Sequence, residues 1–300
     1  MREVQQAKIP LDLKFYSTVI DALASQIKRC DKEHKSPNEE ATDVFQSSSN
    51  METLLANTCY RLLEDALRQL VFTKGEFGSK ALISSSFADE TRIMFHTAMK
   101  PACRLGDYER AQSLFQQMKN LPLRIDNVTM SCVVQAFCSA GKIADAQKQL
   151  LSFIDEGLRP NGVVASVVVN ALSQRGRYVE SWELFLLYIT KLSLADFEAA
   201  STSFKLHNSG DIIILFSPFA SPKINADIGT DTSVRINDVI SAVAYSCSRG
   251  GLYEEAILLY KGTRQTLSAK CDDDCRRAVI KALKVAGKSE LPLEHKALFL

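Results

Sequence analysis

Apolar residues recur at helical spacing through most of the chain, and the phase of that recurrence resets at glycines. In VTMSCVVQAFCSAG, Val128, Val133, Val134 and Phe137 make one apolar face ahead of Gly141. Four segments align around such a glycine: RLGDYERAQSLFQQM from Arg104, SAGKIADAQKQLLSF from Ser139, QRGRYVESWELFLLY from Gln174 and RGGLYEEAILLYKGT from Arg249. Each has glycine in the third place, at Gly106, Gly141, Gly176 and Gly251. A small residue stands five places later, at Ala111, Ala146, Ser181 and Ala256. Large apolar residues follow at Leu114 and Phe115, Leu150, Leu184 and Phe185, and Leu259 and Tyr260. The pattern predicts one helix that stops at the glycine, which can take the left-handed turn a helix end needs, and a second helix after it. Acidic residues open the second helix at Asp107 and Glu109, Asp145, Glu180, and Glu254 and Glu255, where they suit the positive end of the helix dipole. The small residue lets the paired helices approach closely, and the large ones fill the seam with the next pair.

Gly106, Gly141 and Gly176 are spaced by 35 residues, and Gly251 follows Gly176 by 75, which is two periods plus five. A fixed period of this length predicts a stacked array of helix pairs. Three consecutive units are cut at 92–126, 127–161 and 162–196. Residues 1–91 read as degenerate helical repeats. There LDLKFYSTVIDALA, from Leu11, opens a first helix with Ser17 equivalent to Ser131 and Ser166, and RLLEDALRQLVF, from Arg61, is the matching second helix. The polar stretch between them, near residues 31–50, is an inserted loop. Residues 197–236 read as a degenerate unit with an irregular insertion, because DIIILFSPFASPKI carries two prolines and a β-like run. Residues 237–300 give one fair unit and the start of another ending near Gly287. The opening MREVQQAKIPLD looks like the end of a preceding second helix, so the chain is expected to begin inside a repeat. Pro101 inside the first helix of unit 92–126 predicts a kink there.

Composition agrees with an all-α fold. Hydrophobic residues are 46% and charged residues 24% of the 300, as in a globular chain, and 13 Gly with 8 Pro are too few for a fold built on tight turns. A net charge of +1 excludes a strongly basic nucleic-acid coat, though not a local basic groove. No apolar run reaches the roughly 18 residues of a membrane span. The first residues have neither a signal-peptide core nor a transit-peptide composition. The eight cysteines sit mostly in helical apolar patterns and read as reduced, small hydrophobes.

These features resemble the pentatricopeptide-repeat family, whose unit is 35 residues. GLRPNGVVASVVVNALSQRGRYVESWELF, from Gly157 to Phe185, follows its consensus of an extended turn, a first helix, a glycine turn and a second helix. The tetratricopeptide repeat fits less well, because its Trp-Leu-Gly-Tyr signature is absent. The resemblance implies a right-handed α-solenoid of antiparallel helix pairs, located in a mitochondrion or plastid. It also implies that each unit reads one nucleotide of single-stranded RNA through its fifth and last residues. Those pairs are His96 with Asp126, Ser131 with Asn161, and Ser166 with Asp196. In the family's code the second pair favours adenine and the third guanine, while the first lies outside the common combinations. The second position is apolar in each unit, at Ile93, Val128 and Val163, and would let a base pack flat. Arg104, Arg175 and Arg249, near the ends of first helices, are candidates for phosphate contact.

The same residues have plainer uses. Serine at a helix start and Asn or Asp before one are ordinary caps, and arginine at a helix end complements the dipole. Two functions therefore stand side by side: RNA binding in organellar RNA processing, stability or translation, or a protein-interaction scaffold such as a subunit of a large organellar complex. Catalysis, a cofactor and a small-molecule substrate are not expected. The Cys271/Cys275 and Cys30/His34 spacings, even with His295, fall short of a closed zinc site. There is no His-x-Glu with Cys-x-x-Cys of a deaminase and no Gly-rich phosphate loop. Trp182 reads as core.

Overall fold

A computed structural model describes residues 13–33, 42–77, 85–121, 123–197, 236–264 and 269–288. These form eleven helices and no strand. In chain order they are α1 Leu13–Glu33, α2 Thr42–Phe77, α3 Ser85–Leu105, α4 Tyr108–Asn120, α5 Asn127–Ser139, α6 Ile143–Asp155, α7 Gly162–Gln174, α8 Tyr178–Phe197, α9 Ile236–Gly250, α10 Tyr253–Arg264 and α11 Ala269–Val285. The chain divides into two compact units, Met1–Ala140 and Gly141–Leu300.

In the first unit, α1, α3 and α5 pack successively on one another, while α2 and α4 lie against the helices they connect. In the second, α7, α9 and α11 make the same kind of row, with α6, α8 and α10 beside it. This is an all-α helical repeat. The glycines work as their spacing predicts: Gly106, Gly176 and Gly251 have φ of 68°, 74° and 68°. Behind each, an amide reaches back five residues, from Asp107 to Ala102 O (2.9 Å), from Arg177 to Leu172 O (3.0 Å) and from Leu252 to Cys247 O (3.1 Å). Such bonds satisfy carbonyls that a helix end otherwise leaves open.

The seams are apolar where the register places them. Ala111, Ala146, Ser181 and Ala256 are fully buried, as are Leu150, Phe185 and Leu259. Leu114, Phe115, Leu184, Tyr260 and Trp182 are buried too. Each large side chain of this kind contributes about 1.5–3 kcal/mol on leaving water.

Three features differ from the sequence pattern. Helix α3 begins at Ser85, well before residue 92, and an Asp89–Arg92 pair at 2.8 Å spans its second and third turns. It runs on through the buried Pro101 to Leu105, and the turn at Gly106 is intact. Helix α8 is 20 residues long against 13 for α4, α5, α6 and α7. Most of the segment 197–236 lies outside the described residues, yet α9 packs directly on α7 and α8. The two first helices α7 and α9 are therefore in direct contact.

Candidate functional site

Asp126 precedes α5 in extended backbone and caps it: its Oδ1 accepts from Thr129 N and from Thr129 Oγ1, both at 2.9 Å. His96, on α3, points Nε2 at the same place, 3.1 Å from Asp126 Oδ1 and 2.8 Å from Thr129 Oγ1. Arg92 reaches the other carboxylate oxygen at 3.3 Å. The fold thus brings the fifth and last residues of unit 92–126 together. Their side chains are only 13% and 11% exposed, so the polar edges of His96 and Asp126 face each other rather than solvent. Burial opposes ionisation of Asp126, but hydrogen bonds from His96 and from Thr129 outweigh it and hold the carboxyl well below its usual range.

Asn161 caps α7 in the same way, its Oδ1 accepting from Val164 N at 3.2 Å. The turn that carries it is tied down by the buried Tyr188, whose hydroxyl donates to Pro160 O at 2.9 Å. Lys191 of α8 pairs with Asp155 of α6 at 2.6 Å, across the same loop. Ser131 is half-buried in the first turns of α5, and Ser166 Oγ bonds back to Val163 O at 2.8 Å. Asp196 is not at a cap: its backbone belongs to the end of α8, and its side chain lies outside the described residues. The long α8 and the distant start of α9 remove it from the equivalent of Asp126 and Asn161.

The second position stands out. Ile93, Val128 and Val163 are 50%, 52% and 36% exposed on helices whose other apolar residues are mostly buried. The arginines are engaged locally. Arg175 caps its own helix by donating to Ala171 O at 3.3 Å, Arg249 lies over the Tyr245 ring, and Arg104 is half-buried. Among the described residues no three His, Cys, Asp or Glu side chains are grouped to hold a metal. Cys275 is buried; His34, His295 and the side chains of Cys30 and Cys271 lie outside the described residues. No described helix is long and apolar enough to cross a membrane.

One polar groove escaped the sequence reading. Between α9 and α11 a space of about 290 Å³ is lined by Ser241, Tyr245, Asp274, Arg277 and Lys281 among others. Asp274 accepts from Ser241 at 3.2 Å and pairs with Arg277 at 2.6 Å. Ser241 and Arg277 stand ten residues before Gly251 and Gly287, the same offset that places His96 before Gly106. The signal was present in the glycine register.

Comparison with known proteins adds to this geometry. Residues 102–122 match the PPR repeat family model. A chloroplastic pentatricopeptide repeat-containing protein of Arabidopsis thaliana is 29% identical over 85 residues, 28% of this chain and 11% of its own length. A mitochondrial one from the same plant is 31% identical over 83 residues, 28% of this chain and 12% of its own. The matched stretches span about a ninth of each relative's length. Over these stretches, and in its 35-residue period and helix pairs, the chain is similar to pentatricopeptide-repeat proteins.

Proposed function

We propose that this chain binds single-stranded RNA along its first helices and acts in RNA processing, stability or translation in a mitochondrion or plastid. The observation that carries the reading is the exposure of Ile93, Val128 and Val163, one aliphatic side chain at the second position of each repeat. Exposed β-branched residues on otherwise buried helices give a base a flat apolar surface, and the fifth residue lies one helical turn further on. Ser131 with Asn161 is the pair we assign to adenine, whereas Asp196, held in the end of α8, does not stand where Asn161 does and leaves Ser166 without the partner its unit pattern implied. His96 and Asp126 satisfy each other, so unit 92–126 contributes packing through Ile93 rather than base selection. The relatives named for chloroplast and mitochondrion support the compartment.

The test is a titration of fluorescent single-stranded RNA with the full chain and with the double variant Val128→Asp and Val163→Asp. Both sites are exposed, so the thermal melt should hold while binding is lost. Duplex RNA should bind less well, since its base edges are paired. Binding should weaken only shallowly with salt, because few cations are available to displace counterions. If the variant binds as tightly as the parent, the base-packing role fails. The second reading, a protein-interaction scaffold, draws on Val179 and Leu187, both exposed on α8. It becomes the better one if no single-stranded RNA binds at low salt.

A further inference from the structure

Six cysteine side chains are described, and Cys59, Cys138, Cys247 and Cys275 are buried. Cys103 and Cys132 are different: both are partly accessible. They sit on α3 and α5, first helices that pack directly on each other. The Cys103 thiol donates to the Cys132 carbonyl oxygen at 3.1 Å, which sets the two cysteine side chains beside each other. The neighbouring Cys132 side chain, reinforced by burial, pushes the Cys103 thiol well above its ordinary pKa. The Cys103 side chain in turn lowers Cys132, against burial and the nearby Asp126 charge, with Lys100 assisting. The pair is thus divided into a nucleophile and a proton-bearing partner on two packed helices that belong to successive repeats.

We propose that Cys103 and Cys132 are a peroxide-sensitive thiol pair, a site of reversible disulfide formation linking successive first helices of the repeat. Cys132, as thiolate, attacks one oxygen of hydrogen peroxide. An S–O bond forms, the O–O bond breaks, and the departing hydroxide takes a proton and leaves as water. Cys103 then attacks the sulfenyl sulfur. The S–S bond forms, the S–O bond breaks, and the Cys103 proton leaves with the second water. The two thiols together lose two electrons and peroxide gains them. The approach of the two residues is already made by the helix contact, since Cys103 Sγ rests against the backbone of Cys132. The bond would close a loop between residues 29 apart, so it constrains the unfolded chain as well as the helix contact. Cys138 cannot substitute: it is buried on the same helix. The proposal is independent of RNA binding, and its failure would leave that reading untouched.

The experiment uses the full, reduced chain. It is exposed to hydrogen peroxide, remaining thiols are alkylated, and tryptic peptides are read by mass. The expected product joins peptide 93–104 to peptide 125–142, and dithiothreitol reverses it. Fragmentation between Val133 and Phe137 assigns the link to Cys132 rather than Cys138. Cys59 and Cys247 should remain alkylated. With Cys103→Ser the sulfenic acid has no partner, and dimedone should label Cys132. With Cys132→Ser, Cys103 should stay alkylatable. The proposal is overturned if peroxide leaves Cys103 and Cys132 as alkylatable as before. It is equally overturned if Cys138 oxidises as fast as Cys132, or if Cys103 oxidises at an unchanged rate in Cys132→Ser.

Discussion

Asp126 divides its two oxygens between a helix and two basic side chains. Oδ1 caps α5 and meets His96; Oδ2 meets Arg92. Asn at the same place would keep the cap, since Asn and Asp are equally good there, but would give up the charge. Asp126→Asn should therefore lower stability at neutral pH by about 1–2 kcal/mol, the range for a charge-assisted bond exchanged for a neutral one. The pH dependence follows from sign. The folded pKa is depressed, so the stabilisation is complete above the unfolded-state value of about 3.9 and is lost as pH falls through the folded one. Urea melts of parent and variant should diverge at neutral pH and converge towards about pH 2. A constant gap would show that the cap geometry, and not the charge, is at stake. A second residue carries the opposite lesson. Ser181 occupies the small-residue place held by alanine in three other repeats, fully buried, with its hydroxyl oxygen unpartnered. Ser181→Ala should stabilise the chain by about 1 kcal/mol, by removing an unsatisfied polar group at nearly constant volume. A lower melting temperature would mean that the hydroxyl has a role. The positions of Asp126, Asn161 and the serines could be read from the chain, because readers and caps occupy the same places with the same residue types. What Asp126 does could not, because its partner His96 sits three helical turns into α3 and no local pattern couples them.

At the scale of the element, the helix pairs were legible because two punctuation marks recur, glycine at the end of one helix and acid at the start of the next. The exceptions lie where those marks are missing. No glycine marks a boundary at residue 92, and α3 starts earlier, at Ser85. Nothing stops α8 after a standard length, so it continues to Phe197 and takes Asp196 with it. The glycines themselves are not equivalent. Gly106 and Gly157 both have positive φ, at 68° and 78°. A β-carbon at Gly157 would meet nothing within 4 Å, whereas one at Gly106 would fall 2.8 Å from the Ala140 backbone nitrogen. Gly157→Ala should thus carry only the left-handed penalty of about 1–2 kcal/mol. Gly106→Ala should cost clearly more, because two backbones must separate. Thermal melts of the two variants side by side decide this, and equal losses would remove the claim that Gly106 sets the approach of successive turns.

At the scale of the whole molecule, the sequence shows the kind of architecture, and the packing shows which described helices are neighbours. Between Gly176 and Gly251 lie 75 residues, which period arithmetic divides into two stacked units and a remainder. The packing of α9 against both α7 and α8 makes it the next first helix after unit 162–196. Gly250 strengthens the point: a β-carbon there would fall 2.6 Å from Tyr178 Cβ at the start of α8, so the end of α9 is seated tightly on that turn. Periodicity cannot tell a second repeat from inserted chain when the lengths agree to within a few residues. Contacts can, because a solenoid unit touches only its neighbours. The prediction is that residues 198–235, replaced by a Gly/Ser linker long enough to span from Phe197 to Ile236, leave the folded array in place. Circular dichroism should show undiminished helix per residue, and the thermal midpoint should hold, since α7, α8, α9 and the buried Tyr188 and Val243 keep their contacts. Gly250→Ala in that shortened chain should destabilise it as it does the parent, because the α8–α9 seat is the same in both. A shortened chain that unfolds, or one in which Gly250→Ala no longer matters, would mean that α9 reaches α7 only through the residues removed.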